Sequence, residues 1–275
     1  MKLLNYFAVA ATGAAMFFSA CQMNEGVPAA GEAIPQEVLS RIGHLGFDVA
    51  GVKKIDEGYL VEGDIVLTHA NLDEAPEVHS YRSADEEQYH TFNLVTGTPR
   101  TINIFLRTSG SGALPTSYVA ALDEAIARYN AENLGLSFVR LTAATGANIT
   151  IRRGNGNYLA SAGFPTGGNP YGTVLVNSNF IGSNPNTNYL ATILAHEIGH
   201  CIGFRHTDWY NRAISCGGAA SNEGQETTGV GAVHIPGTPD KTQNVDGGSW
   251  MLACIGSGQN RPFSNNDKTA LGYLY

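Results

Sequence analysis

Three histidines in one short stretch carry the strongest chemical signal in the sequence. Residues 196–206 read HEIGHCIGFRH. On a helix, residues four apart lie on the same face, so His196 and His200 can both direct a ring nitrogen at one metal about 2.0–2.1 Å away. Gly203 allows the chain to leave the helix with a positive φ and to bring His206 to the metal from another direction. The spacing predicts a zinc site with three histidine ligands.

Glu197 follows the first histidine, and its position suits a different task. It does not ligate the metal in this arrangement, but it stands beside the fourth coordination position. A carboxylate there is the natural general base for an attacking water, and it can then pass the proton to a leaving amine. The alternatives are a helix with surface histidines and a metal site without activity, and the presence of Glu197 weighs against both. We therefore expect hydrolysis of a peptide bond.

The eleven-residue pattern resembles the signature of the metzincin clan of zinc metalloproteases. Its HEIGH core followed by HTD is similar to the bacterial dual-action HEIGH metallopeptidases in particular, and the resemblance covers about residues 100–275. It implies one catalytic zinc and a methionine turn below the metal. The S-W-M at 249–251 matches that turn, with Met251 as a packing floor, although an ordinary core methionine is the alternative. Astacins carry a tyrosine ligand two residues later, whereas this chain has Ala253, so no fifth protein ligand is expected.

Two further features near the site stay open at the level of sequence. Asp208 resembles an acidic residue that is structural in matrixins, and it could either fix a loop or lie in solvent. Cys201, Cys216 and Cys254 are an odd number in an oxidising compartment, so at most one disulfide forms within the chain. The sequence does not choose the pair.

The elements that would position these residues alternate as in an α+β protein. The segment TINIFLRT alternates apolar and polar residues like a half-buried strand, and Pro115 then opens an amphipathic helix. Further strands are predicted at 136–141, 147–153 and 171–177. Thr187 or Asn188 caps the next helix, which carries the HEIGH residues and ends at Gly203.

The last part of the chain is predicted to be irregular until its final helix. Residues 217–250 are rich in glycine, asparagine and threonine and read as a functional loop layer. Ser264 and Asp267 are spaced as the capping box of a closing helix. With the resemblance, this predicts a metzincin-like catalytic domain over 99–275. It would have a twisted mixed sheet with two helices above an irregular lower subdomain that ends in a helix.

The N-terminus has the features of an export signal over residues 1–20, because Lys2 precedes an apolar stretch. The F-S-A-C at 18–21 resembles a bacterial lipobox, in which Cys21 is acylated, and a plain signal peptide is the alternative. Residues 21–36 would be a tether. No other segment approaches the roughly 18 apolar residues of a membrane helix, so lipid would be the only membrane attachment. We expect a bacterial monomer at the cell envelope, periplasmic or surface-exposed, or else secreted.

A small α/β unit with a linker is predicted over residues 37–98, in the place of a propeptide. Its V-E-G-D-I at 61–65 resembles the short F-x-G-D motif of astacins, whose aspartate coordinates the zinc of the latent enzyme. The resemblance implies that Asp64 is a latency ligand, with Val61 in place of phenylalanine, and that cleavage in the linker at 76–100 releases it. An ordinary turn is the alternative reading.

The leading function is an exported zinc endopeptidase that binds an extended peptide along an edge strand, for which YGTVLVN is the candidate. The rivals are a surface-anchored binding module that uses zinc only for structure and an amidase acting on cell-wall peptide. Glu197 favours an enzyme, since a binding module does not need it. The formal net charge of −8 leaves no basic surface for a phosphate backbone, so nucleic acid is not an expected partner.

Overall fold

The computed structural model describes residues 33–73, 88–218, 230–239 and 245–275. Helices and strands alternate along these segments. The helices are α1 (Gln36–His44), α2 (His69–Asp73), α3 (Tyr118–Asn130), α4 (Ser178–Ile181), α5 (Thr187–Ile202), α6 (Ala213–Cys216) and α7 (Asn265–Leu274). The strands are β1 (Lys53–Ile55), β2 (Gly58–Val61), β3 (Ile65–Leu67), β4 (Tyr89–His90), β5 (Arg100–Leu106), β6 (Leu136–Leu141), β7 (Ile149–Arg153), β8 (Ala160–Gly163), β9 (Thr173–Val176) and β10 (Val233–His234).

Eight of these strands form one mixed sheet in the order β1-β2-β3-β8-β9-β7-β5-β6. Strands β6, β5, β7 and β9 run parallel, and β8 is antiparallel to β9. Strand β5 buries Ile102, Ile104 and Leu106 and leaves the residues between them partly exposed, as the predicted alternation requires. The α+β class with a mixed sheet is therefore confirmed.

The expected free edge of the sheet is in a different place. The prediction assigned it to YGTVLVN, but β9 lies inside the sheet between β7 and β8. The neighbour is the short β8, which reads Ala-Ser-Ala-Gly and is buried along its whole length. Four small residues give no apolar–polar alternation, so the hydrophobic pattern of the sequence does not predict this strand.

Helices α3 and α5 pack against each other and share the core with the buried residues of the sheet. The sequence predicts an apolar stripe of Tyr118, Val119, Leu122, Ile126 and Tyr129 on α3, and all of these are buried except Val119, which is partly buried. The helix begins at Tyr118 because residues 115–117 form a turn. Tyr129 donates its phenol hydrogen to the carbonyl of Ala195 in α5 at 2.8 Å. The two helices are thus joined next to the first predicted metal ligand.

The N-terminal strands continue the sheet of the catalytic part. Strands β1, β2 and β3 form an antiparallel meander, and β3 then pairs parallel with β8. Phe164 and Val230 complete the apolar cluster of this region, which includes Ile42 and Phe47. The sequence predicted a separate unit over 37–98, and in the structure these strands share one sheet with the rest. Removal of this unit as a propeptide stays a prediction.

Residues 88–95 pack into the catalytic part of the chain. The Gln88 amide is buried and donates to the carboxylate of Asp267 at 2.9 Å, while Arg205 N–H donates to the carbonyl of Tyr89. Thr91 N–H donates to the carbonyl of Gly203 at 2.7 Å. These contacts tie the segment to α7 and to the turn that ends the catalytic helix. The segment lies inside the linker predicted over 76–100, and in the structure it is packed rather than exposed, because Gln88, Tyr89 and Thr91 are buried.

Two of the cysteines in the described residues are paired and one is free. Cys216 and Cys254 form the disulfide that the sequence could not assign, and Cys201 is a buried free thiol. None of the described helices combines the length and the apolar character needed to cross a membrane. The predicted export signal and Cys21 lie outside the described residues.

Candidate metal centre

Helix α5 places the first two histidines in the protein interior. Asn186 caps the helix by accepting a hydrogen bond from the backbone of Tyr189, one residue before the predicted cap. Every residue from Tyr189 to Ile202 is buried, which holds the HEIGH stretch rigidly. One turn separates His196 from His200, and their Nε2 atoms are 3.1 Å apart.

Gly203 ends the helix in a conformation that suits glycine. Its φ is +113°, and a Cβ at this position would lie 2.8 Å from the carbonyl oxygen of Asn93. The chain therefore turns back under the helix, and the Nε2 of His206 comes within 3.2 Å of the Nε2 of His200. The structure thus has the glycine turn and the third histidine in the predicted arrangement.

Two of the histidines are oriented through their other ring nitrogen. The Nδ1 of His196 donates to the carbonyl of Trp250 and the Nδ1 of His200 to the carbonyl of Phe204, both at 2.8 Å. A carbonyl oxygen only accepts, so Nδ1 carries the proton and the lone pair of Nε2 points to the shared centre. Such outer hydrogen bonds fix the tautomer of metal-binding histidines.

Met251 packs beneath the catalytic helix. It is fully buried, and its sulfur would lie 2.5 Å from a Cβ placed on Gly199, the glycine of the HEIGH stretch. Thr207 N–H donates to the carbonyl of Met251 at 2.8 Å, which joins the methionine turn to the residue after His206. Trp250 N–H donates to Asp267 of α7. The turn therefore connects α5, the third histidine and the last helix.

Asp64 reaches the same centre from the N-terminal hairpin. Glu62 and Gly63 have φ values of +56° and +101°, which make the tight turn between β2 and β3. The Oδ2 of Asp64 lies 3.3 Å from the Nε2 of His206 and 3.6 Å from that of His196. Burial alone would raise the pKa of this carboxyl, but the two imidazoles hold it well below the usual range. The carboxylate form is therefore favoured here.

Glu197 is buried beside this cluster. The residue is only 3% exposed, and burial followed by the nearby charge of Asp64 raises the pKa of its carboxyl well above the usual value. Within the described residues, neither the Oε2 of Glu197 nor the Oδ1 of Asp64 has a hydrogen-bond partner. Buried carboxylate oxygens rarely stay unpaired, so both atoms point to a cation or a water at this place.

The donor set fits a zinc ion. The four candidate ligand atoms, from Asp64, His196, His200 and His206, all lie within 4.8 Å of one another. A tetrahedral zinc with bonds of about 2.0–2.1 Å requires nitrogen atoms roughly 3.3 Å apart. Burial and the neighbouring imidazoles lower the pKa of His200, which favours the neutral ring that a metal binds. The residues can hold a metal ion, and their roles as ligands stay predictions.

Asp208 stabilises the loop that follows the third histidine through hydrogen bonds. It is fully buried, and its carboxylate accepts hydrogen bonds from the hydroxyl of Ser215 and from the backbone of Ala253. The disulfide from Cys216 to Cys254 joins the same two segments. Of the two readings that the sequence left open, the structure favours the loop-fixing one.

A cavity of about 200 Å³ opens beside the histidines. Its lining includes His196, Glu197 and Asp64, together with Arg212 and Arg261, which sequence reasoning did not select. Neither arginine belongs to a recognisable motif, and Arg261 lies more than fifty residues from the histidines along the chain. Only the folding of the irregular C-terminal part brings them to the site.

Three convergent histidines with a buried glutamate and an adjoining cavity are the arrangement expected of a metal-dependent hydrolase. A model of the dual-action HEIGH metallo-peptidase family matches residues 59–275. The chain belongs to that family. The resemblance to dual-action HEIGH metallopeptidases that the sequence predicted is therefore confirmed. As a peptidase, the protein acts on protein or peptide substrates.

Two solved structures of one protein, myroilysin, are similar with low sequence identity. "Structure of Myroilysin" is 13% identical, covers 66% of this chain and 82% of its own, and has a TM-score of 0.40. "Crystal structure of myroilysin" is 14% identical, covers 64% and 83%, and has a TM-score of 0.39. No curated protein sequence matches this one.

Proposed function

We propose that this metallopeptidase is an exported zinc endopeptidase in which His196, His200 and His206 hold the metal. The observation that carries the proposal is the meeting of three buried imidazoles with a buried, unpaired carboxylate oxygen of Glu197. Bound zinc supplies a Lewis acid that polarises a carbonyl and acidifies water. The fixed orientation of two imidazoles through their Nδ1 atoms supports a preformed site.

Glu197 acts as the general base in this proposal. Its carboxylate takes a proton from the water that attacks the peptide carbonyl, and it passes that proton to the nitrogen of the departing amine. The water oxygen bonds to the carbonyl carbon and the carbon–nitrogen bond breaks, while the proton taken from the water ends on the amine, so the glutamate ends each cycle unchanged. The near-complete burial of its side chain supports this role, because exclusion of bulk water keeps the proton on its path.

Substrate backbone binds along β8 in the active form. Strand β8 is antiparallel to β9 on one side, and its other side carries the N-terminal strand β3. Without β3, the outer side of β8 is an open edge next to the metal centre, and an extended peptide can add to it as a further strand. This assignment replaces the edge that was expected at YGTVLVN.

The full-length chain is latent in this proposal, and two features of the hairpin keep it so. Asp64 takes the position beside the histidines, and β3 pairs with β8 through Ile65 and Val66. Ala162 N–H donates to the carbonyl of Asp64 at 3.0 Å, so the blocking strand and the carboxylate are held together. The match of the family model begins at Tyr59 and includes this hairpin. Cleavage on the N-terminal side of the packed segment 88–95 releases it.

The proposal also includes export of the protein and its attachment to the cell envelope. Residues 1–20 direct the chain out of the cytoplasm, and acylation of Cys21 attaches it to the cell envelope by lipid. The apolar stretch after Lys2 and the F-S-A-C at 18–21 support this location. The disulfide from Cys216 to Cys254 fits an oxidising compartment. The enzyme works as a monomer.

Glu197→Gln tests the proposed chemistry. The protein is purified as the full chain, activated by limited proteolysis and assayed on a quenched fluorescent peptide library with and without a zinc chelator. General base assistance contributes about 10²–10⁴-fold, so we expect a loss of that size with zinc content unchanged. Asp123→Asn, at an exposed carboxylate of α3, is the matched control and keeps full activity. If Glu197→Gln retains more than a tenth of the turnover, another residue is the base.

A further inference from the structure

The cavity beside the metal centre has apolar walls and a fixed cation. The walls are supplied by Leu159 just before β8, by Ile193 of α5, and by Leu252 and Ile255 after the methionine turn. Arg261 belongs to the same lining. Because His196 and Glu197 also face the cavity, a side chain that fills it belongs to a substrate residue next to the cleaved bond.

The guanidinium of Arg261 is held in place by its neighbours. Its Nη1 donates to the carbonyl of Cys254 at 2.7 Å and its Nη2 to the side-chain oxygen of Gln259 at 3.3 Å. Its backbone N–H donates to the hydroxyl of Thr192 on α5. These bonds anchor the arginine to the disulfide-linked loop and to the catalytic helix. Two of its five donors are used by the side-chain bonds, so others can meet a ligand.

A second arginine faces the same cavity from the loop after the third histidine. The Nη2 of Arg212 lies 3.8 Å from the position of a Cβ on Gly63, directly against the turn of the hairpin. That turn contributes Glu62, Gly63 and Asp64 to the lining. In the full-length chain, an acidic turn of the protein itself therefore lies against Arg212 and lines the same cavity as Arg261.

The balance of charge changes when the hairpin is removed. Among the described residues that line the cavity, the acidic ones are Glu62, Asp64 and Glu197. Two of them belong to the hairpin, and the third is the proposed base. The active form would then present two arginines and no carboxylate other than the base. Apolar walls strengthen the attraction between such cations and an incoming carboxylate because they exclude water.

We infer that this cavity selects substrates with an acidic side chain, glutamate above all, at a residue that flanks the cleaved bond. The inference rests on the proposed endopeptidase function and adds the substrate class to it. Glutamate suits the site because its methylene groups can contact the apolar walls while its carboxylate reaches Arg261. A lysine at this position is rejected by the like charge of the arginines.

Four peptides that differ at one flanking position test the inference. They carry glutamate, glutamine, leucine or lysine there, and the activated full chain is assayed for kcat/KM on each, with mass spectrometry to locate the cut. A charged hydrogen bond makes glutamate better than glutamine by about tenfold or more. Arg261→Gln reduces that ratio to near one, Arg261→Lys keeps most of it, and Arg212→Gln lowers it in part. Arg107→Gln, outside the cavity lining, is the control and leaves the ratio unchanged.

The glutamine peptide also reports on folding. If Arg261→Gln cleaves it within about threefold of the wild-type rate, the loss on glutamate is a loss of recognition. Cleavage of all four peptides without preference for glutamate, or a ratio that survives both arginine substitutions, overturns the inference and leaves the endopeptidase function standing. If no peptide in this series or in the library is cleaved, the proposed function itself fails, and the inference fails with it.

Discussion

The histidines and Asp64 reach one point from two regions that are built differently. The histidines belong to a buried helix and its following turn, with Trp250 and Phe204 accepting hydrogen bonds from two of the rings. Asp64 sits on a three-residue hairpin turn at the margin of the sheet. One region is held by the central core, whereas the other packs in a smaller apolar cluster that it shares with Phe164 and Val230.

This difference predicts that the histidines are metal ligands in every form of the protein, whereas Asp64 is a ligand only while the hairpin is in place. Helix α5 cannot move its histidines away from the centre unless the core unfolds, because all residues from Tyr189 to Ile202 are buried. The hairpin pairs with the catalytic sheet only through β3 and β8, over two residues on each side. Its other attachments are side-chain contacts, such as the packing of Val66 with Leu175 and the ion pair from Glu57 to Arg152. In the proposed latency, this region is withdrawn once the chain is cut. The comparison therefore predicts opposite effects for substitutions in the two regions.

Loss of a histidine has the largest expected effect. In His206→Ala, the buried cluster loses its third nitrogen donor, and we expect zinc occupancy far below one per chain and peptide hydrolysis below detection. Metal analysis after gel filtration and an activity assay measure both. His234→Ala in β10 is the control and keeps its zinc. Full zinc content and full activity in His206→Ala would remove this residue from the ligand set.

Replacement of Asp64 is expected to raise the activity of the uncleaved chain, whereas replacement of a histidine lowers activity. Asp64→Ala removes the carboxylate that lies 3.3 Å from His206, and the loss of one charged interaction corresponds to about 10–100-fold. We expect the uncleaved chain to gain that much activity on short peptides, and less on long ones because β3 still pairs with β8. Asp56→Ala, in the exposed turn between β1 and β2, is the matched control. An Asp64→Ala chain as latent as the wild type would make the residue part of an ordinary turn.

The smallest effect concerns the support under the helix. In Gly199→Ala the new Cβ lies 2.5 Å from the sulfur of Met251, so the methionine turn must shift, at about 1–3 kcal/mol of unfolding free energy. Urea denaturation measures the loss. Gly272→Ala on α7 is the control, because a Cβ there meets nothing within 4 Å, and the change is expected to stabilise. If both variants were equally stable, Met251 would not be a packing floor.

The sequence predicted the histidine region well because its information is local. The i, i+4 spacing, the glycine turn at Gly203 and the capping box of Ser264 and Asp267 each depend on residues that are close along the chain. Local rules of this kind fix ligand directions without knowledge of the rest of the fold. The α+β order followed from alternating periodicities for the same reason.

The hairpin region and the cavity depend on contacts between distant residues. No local pattern reveals that β3 pairs with β8, since β8 consists of small residues and lies almost one hundred residues later. The choice of Cys216 and Cys254 as a pair and the buried bond from Gln88 to Asp267 are equally non-local. Arg261 reaches the cavity only through this folded loop layer. These features required the structure.

The coordination sphere of zinc in the uncleaved full-length chain is the most direct test. Crystals of this form, with diffraction recorded at the zinc absorption edge, would locate the metal and its ligands together. We predict one zinc ion about 2.0–2.2 Å from the Nε2 atoms of His196, His200 and His206 and from a carboxylate oxygen of Asp64. A zinc ion bound elsewhere would contradict the histidine site. A zinc ion on the three histidines with water in the fourth position and Asp64 turned away would contradict the account of the hairpin as a conditional ligand.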